Sequence, residues 1–504
     1  MRSTFIALTC FAGLAATTVL AAQGPNADFG VFVEVQLKAH AEQLFGFRHP
    51  LEESALGPFT GPSTEALEVA DGLRVSLVSS GVAAAADQIA LWPDDEHPTH
   101  LFVCDEETTD PAVQRIDLRL PANSNVTKIV TGLSTCDPVR RTPWGTIIVA
   151  EEAGATGGLY EILDPEHINA PINVSNRAAG TTSDPNHLVK RKAVGSLSFE
   201  SFGIKGDGTM IYGDELAPSG GNAGGALYKF VPSVPYQGGT PITIPSLSPL
   251  ASGTIYGLRV AAAGSSNWGQ GAETGKGLWT LVNLGGAGVV DANGNVILRT
   301  AQLLQRFSGY YRPEDMDVDP IALEGGVFRV CWANTGRMSH VGGSLVENGA
   351  VYSEIMCLVE EPPSVAVPAP ATGTIPTVSR FIPGDLVAQM YDNVAFQPHT
   401  GNLVVLEDGP TSLVTSLQPG APPQFRGNDI WMCLPDGADK DVQSDGCVRV
   451  ASLRDTTAEP SGFIFTASGE EAFVNLQHRD VDTAANRGSL MKISGFRVRA
   501  HDDK

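Results

Sequence analysis

The sequence predicts an all-β protein, an irregular β-propeller of about six blades with insertions and a short N-terminal helical arm. Three observations predict it. Short apolar runs of β type recur along the chain and end on polar or acidic residues; Gly-rich turns such as Lys205–Gly208 and His399–Asn402 lie between them; amphipathic helical periodicity is scarce outside Phe32–Phe45.

The chain opens with Arg2, an apolar run from Phe5 to Leu20, and the small residues Ala21 and Ala22. That pattern is expected to be a signal peptide over 1–22, and with no twin-arginine pair the general export route is expected. The mature protein is then secreted or periplasmic. No later stretch approaches about 20 consecutive apolar residues, so no membrane span is expected. Residues 23–66 are expected to form an N-terminal arm carrying the helix, and 67–504 a single propeller domain. The stretch 360–377 is dense in Pro, Ala, Val and Thr. It is expected to be an extended insertion between two strands, because proline removes a ladder donor.

Seven runs carry the propeller reading: Leu101–Glu107, Thr146–Glu152, Thr209–Glu215, Gly277–Asn283, Val327–Asn334, Asn402–Asp408 and Glu471–His478. They recur roughly every 45 to 75 residues, which suits blades with insertions. Blades are arranged radially, so equivalent strand ends point at one central channel. Acidic residues often follow strands because they favour turns. A set of them converging on one channel instead supplies the six to eight oxygen ligands that calcium takes.

The net charge of −23 over 504 residues excludes nucleic acid as an expected partner, since phosphate backbones need a basic patch and none is visible. Beyond Cys10 the chain has six cysteines: Cys104, Cys136, Cys331, Cys357, Cys433 and Cys447. An even number in an exported chain predicts disulfides, and no Cys-x-x-Cys spacing points to zinc or redox chemistry. Three bridges joining sequence neighbours are the preferred arrangement among fifteen. The chain has no Gly-x-Ser-x-Gly elbow. The Gly-rich runs Ser219–Gly225 and Gly285–Gly288 lack the Lys-Ser or Lys-Thr of a nucleotide loop and read as turns.

The segments Thr142–Glu152, Arg312-Pro-Glu314, Asp392–Phe396, Gly401–Gly409, Glu459–Gly462 and Phe473–His478 resemble the PhoX-type alkaline phosphatases, from about residue 80 to the end of the chain. The resemblance implies a monomeric propeller whose funnel holds calcium ions and a pair of iron ions and hydrolyses phosphate monoesters. It places metal ligands at Glu200, Glu314 and Asp408 and a phosphate-binding guanidinium at Arg312. Asp105 and Glu107 stand where the family has Asn-His-Glu, which makes them ligand candidates. Glu151 and Glu152 follow in the place of the family's Cys-Glu-Glu. His478, at the end of the last strand, is a candidate proton donor to a leaving alkoxide.

Two departures separate this chain from the family pattern. Ala150 replaces the cysteine whose thiolate bridges the irons, and Phe199 replaces the histidine before the ligand glutamate. A soft thiolate favours iron, so its loss shifts the site towards hard cations held by oxygen, and calcium is expected ahead of iron. The expected function is therefore metal-dependent hydrolysis of small phosphate esters. A calcium-dependent lactonase or esterase and a non-catalytic, calcium-stabilised binding propeller remain open beside it.

Overall fold

The computed structural model describes residues 31–107, 111–218, 222–260, 273–335, 339–341, 344–346, 353–362, 373–385, 387–408, 427–479 and 487–498. The expected signal peptide lies outside the described residues, as does most of the Pro-rich stretch. The strands beside that stretch, Glu354–Glu361 and Ile375–Pro383, pair with each other.

Among the described residues, six antiparallel-based sheets of four to six strands carry the fold, beside one two-stranded sheet formed by Ser339–Val341 and Ser344–Val346. Their innermost strands are, in order, Ala86–Trp92, Cys136–Arg141, Phe199–Ile204, Pro313–Val318, Tyr391–Phe396 and Glu459–Phe465. Each touches the inner strand of the next sheet, and the sixth touches the first, so the sheets close into a six-bladed propeller. The N-terminal strand Arg74–Val82 forms the outer edge of the sixth blade and Leu67–Val69 that of the fifth, so both ends of the chain lock the ring.

The strands are apolar because each blade is covered on both faces. In the second strand of the second blade, Ile147 and Val149 pack against the first blade while Ile148 and Ala150 pack against the third. This gives a continuous apolar run in place of the alternation of a half-buried strand. Six apolar clusters result, one at each blade-to-blade interface. The helix Val31–Ala39 and the turn after it add Leu37, Ala41, Phe45 and Phe47 to the cluster between the fifth and sixth blades.

Of the seven runs read from the sequence, six supply the second strands of the six blades. The exception is Gly277–Asn283, whose strand Leu278–Leu281 lies at the outer edge of the third blade, with Leu278 and Leu281 exposed. It is remote from the channel because a run of the same composition also suits an outer strand.

The disulfides pair sequence neighbours: Cys104–Cys136, Cys331–Cys357 and Cys433–Cys447. The first ties the first blade to the second, whereas the others join adjacent strands of one blade.

Candidate metal centre

Every inner strand places one carboxylate near its start: Asp87, Asp137, Glu200, Glu314, Asp392 and Glu459. In the first five blades the residue before it pairs with the last residue of the second strand: Ala86 with Asp105, Cys136 with Glu151, Phe199 with Asp214, Pro313 with Asn334, Tyr391 with Glu407. The register then breaks in all six blades within the next few residues. A bulge of this kind bends the strand and re-aims its side chains, here into the channel.

A second tier comes from the residue just past each second strand, namely Glu106, Glu152, Glu215, Thr335, Asp408 and His478. In the first five blades its amide donates to a backbone carbonyl just before the inner strand, as in Glu106 to Ala85 (3.0 Å), Glu152 to Thr135 (2.8 Å) and Asp408 to Met390 (2.9 Å). His478 donates instead to Ala84 of the first blade (2.9 Å). Thr335 turns its hydroxyl away, donating to the Tyr391 carbonyl (2.7 Å).

The funnel thus gathers carboxylates with few donors to balance them. Asp87, Glu106 and Asp137 bring ligand atoms within 4.8 Å of one another, and so do Glu152, Glu200 and Glu215. Both oxygens of Asp137 and Oδ1 of Asp87 are shut off from solvent and face other carboxyls in place of any nitrogen or hydroxyl donor. Burial pushes the Asp87 carboxyl up to about 7, and burial with the neighbouring Glu215 pushes Glu152 up to about 8. Glu106, Asp137, Glu200, Glu314, Asp392 and Glu459 are driven well above the usual carboxylate range, by burial first and then by neighbouring carboxylates, with Arg312 opposing the rise at Glu314.

Arg312 stands among them at φ 54°, its Nε 2.7 Å from Glu215 Oε1 and its Nη2 2.8 Å from Glu314 Oε1. Below the carboxylates the channel is floored by Arg140, whose Nη2 donates to Ser201 Oγ (3.0 Å), Asp315 Oδ1 (2.9 Å) and the Met316 carbonyl (3.1 Å). His478 sits at the rim with Nε2 3.4 Å from Glu459 Oε1, and burial pulls its imidazole below the usual histidine range.

The structure brings together Glu152, Glu200, Glu314, Asp408, Arg312 and His478 of the residues singled out in the sequence. Glu151 is a correction: it is fully buried and spent on Arg177 Nε (2.5 Å), the Ser134 amide (3.0 Å) and the Gly158 amide (3.1 Å). Asp105 occupies the same strand-end place and accepts the Glu107 amide (3.2 Å), one residue short of the tier that Glu106 occupies. Glu107 lies one residue past that tier, half-buried, with its charge reaching His478. Sequence reasoning missed Asp87, Glu106, Asp137, Glu215, Asp392 and Glu459. Asp392 and Glu459 head segments that carry the family resemblance, which was a signal for both.

Ala150 and Phe199 are fully buried in the apolar cluster between the second and third blades, where Phe199 packs on Phe202 and Tyr212. Neither offers a donor atom. All six cysteines beyond Cys10 are bridged, so no free thiolate remains among the described residues. A thiolate-bridged iron pair does not fit these residues, whereas an oxygen-only donor set with orphaned buried carboxylate oxygens fits hard divalent cations such as calcium.

Fold and site define a six-bladed β-propeller with a polyanionic central funnel. The family model for the alkaline phosphatase PhoX matches residues 103–480, and the chain belongs to that family. Among solved structures it is similar to Pseudomonas fluorescens PhoX in complex with vanadate, a transition state analogue, at 15% identity and TM-score 0.59, covering 88% of this chain and 98% of that one. It is also similar to the holo PQQ domain of pyranose dehydrogenase from Coprinopsis cinerea, at 10% identity and TM-score 0.43, covering 86% and 98%. A gluconolactonase from Xanthomonas campestris follows at 12% identity and TM-score 0.38, covering 89% and 98%. Among curated proteins no sequence matches the chain.

Proposed function

We propose that the chain is an exported, calcium-dependent phosphatase that hydrolyses small phosphate monoesters in the funnel. The observation that carries this reading is the pair of carboxylate trios, one of them with buried oxygens on Asp87 and Asp137 that lack donors, beside the Arg312 guanidinium paired with Glu215 and Glu314. Glu152, Glu200 and Glu215 would hold one cation, and Asp87, Glu106 and Asp137 another. Glu314, Asp392, Asp408 and Glu459 complete the ring. Calcium bound there would supply positive charge that polarises a phosphoryl oxygen and offsets charge built up in the transition state.

The chain's own residues orient the ester. Glu215 Oε1 accepts from Arg312 Nε, and Glu314 Oε1 forms an ion pair with Nη2 outside hydrogen-bond geometry, which leaves the terminal nitrogens available to a phosphate oxygen. In hydrolysis the oxygen of water bonds to phosphorus as the ester P–O bond breaks, the leaving oxygen takes up a proton from a donor, and the proton that the water sheds reprotonates that donor. His478, about half exposed at the rim, is the group placed to give that proton.

Elemental analysis of the purified mature protein, paired with hydrolysis of a chromogenic phosphate monoester with and without calcium, tests the reading. Calcium with turnover supports it. Calcium without phosphatase turnover overturns the phosphatase assignment in favour of a lactonase or a binding propeller. Stoichiometric iron overturns the oxygen-only description of the site.

A further inference from the structure

The helix Leu298–Gln305 belongs to no blade; it lies in the excursion between the outer strand of the third blade and the inner strand of the fourth. Its second residue, Arg299, reaches the channel side of the third blade. Nε lies 2.7 Å from Asp214 Oδ2 and 3.0 Å from Oδ1, and Nη2 donates to Asp214 Oδ1 (2.8 Å), Ser198 Oγ (3.0 Å) and the Glu215 carbonyl (2.9 Å). Ser198 is the hub of the arrangement. Its amide donates to Asp214 Oδ1 (3.1 Å), its carbonyl accepts the Glu215 amide (3.1 Å), and its Oγ accepts the Gly154 amide (3.0 Å). Ser198 also bridges Glu152 across the gap between the blades.

All three members of one trio therefore hang from this assembly. Glu200 is two residues past Ser198. Glu215 is held at both its amide and its carbonyl. Glu152 faces Ser198, and the loop after it is tied at Gly154. We infer that Arg299 is a positioning residue for the Glu152–Glu200–Glu215 site: it holds the three carboxylates in register across two blades without lending an atom to the site. The inference rests on the reading that the trio binds a cation. Asp87, Glu106 and Asp137 make no contact with Arg299 and meet the assembly only where Asp137 faces Glu200, so the two sites differ in their dependence on it.

The five-donor guanidinium fork matters here, not charge alone. Lysine at 299 would keep the charge beside buried Asp214 but reach only part of Asp214, Ser198 and Glu215. Loss of an outer partner of this kind typically costs about 10- to 100-fold in metal affinity.

The test is calcium titration by calorimetry on the full mature chain after metal stripping, with Glu200→Gln marking which transition belongs to this trio. In Arg299→Lys that transition should weaken about ten-fold or more, while the other changes less than about two-fold. Gly154→Ala approaches the same assembly from the other side, because a Cβ there would lie 2.6 Å from Arg299 Nη1 on a backbone at φ 55°. It should weaken the same transition and supplies the answer if Arg299→Lys does not fold. Equal weakening of both transitions, or no change in either, overturns the inference. A stripped wild-type chain that takes up no calcium overturns the cation reading and the inference with it.

Discussion

Arg312 Nη2 and Glu314 Oε1 meet 2.8 Å apart, two residues from each other, at the point where the inner strand of the fourth blade enters the channel. Arg312 adopts φ 54°, and its Nε is held by Glu215 Oε1 as well. The guanidinium is thereby held between two carboxylates.

Arg312→Lys should lower kcat/KM for a phosphate monoester by about 10- to 100-fold, since charge-assisted hydrogen bonds contribute about 1.5–3 kcal/mol each. Calcium content, read by elemental analysis, should stay at the wild-type value. A variant with normal kcat/KM would show that Arg312 serves the strand entrance alone.

Asp137 has both oxygens buried against the carboxyls of Glu106 and Glu200, with no nitrogen or hydroxyl donor. Asp137→Asn should remove one calcium per chain and raise the melting temperature of the stripped protein, because an unpaired buried carboxylate opposes folding until a cation arrives. Glu314→Ala and Asp408→Ala should also lose calcium; full occupancy in both would contradict the funnel assignment.

The pH dependence of the stripped protein has a definite sign. Asp87 and Glu152 have folded-state values of about 7 and 8, above those of unfolded carboxylates, so the folded chain holds more protons between about pH 4 and 8. Stability is then fully present at low pH and falls as pH rises through that window. Scanning calorimetry should give the stripped protein a lower melting temperature at pH 8 than at pH 5.5. Calcium should restore it most at pH 8, where the carboxylates are ionised.

The Cys104–Cys136 bridge spans the first two blades, and Cys136 immediately precedes Asp137. Replacing both cysteines by alanine should cost about 2–4 kcal/mol of stability, measured by denaturant unfolding. It should also weaken calcium at the Asp87–Glu106–Asp137 site more than at the other.

The blades were legible because burial on both faces writes most second strands as nearly unbroken apolar runs, as in Leu101–Val103 and Ile147–Val149. The inner strands were not, since Cys136–Arg141 and Pro313–Val318 mix apolar residues with Asp137, Asp315 and Asp317, and bulges break their alternation. The same limit shifted the ligand reading by one residue at the strand ends: Asp105 and Glu151 are acidic like Glu106 and Glu152, and only the backbone register separates anchor from funnel. Arg299 gave no local sign at all, because its partner Asp214 is 85 residues away in the chain.

The most direct measurement is the rate of phosphate monoester hydrolysis by the stripped protein as free calcium is raised. The account predicts negligible turnover without the ion, saturable recovery with it, and loss of that recovery in Asp137→Asn. Full turnover in the stripped protein, or none in protein loaded with calcium, would contradict it.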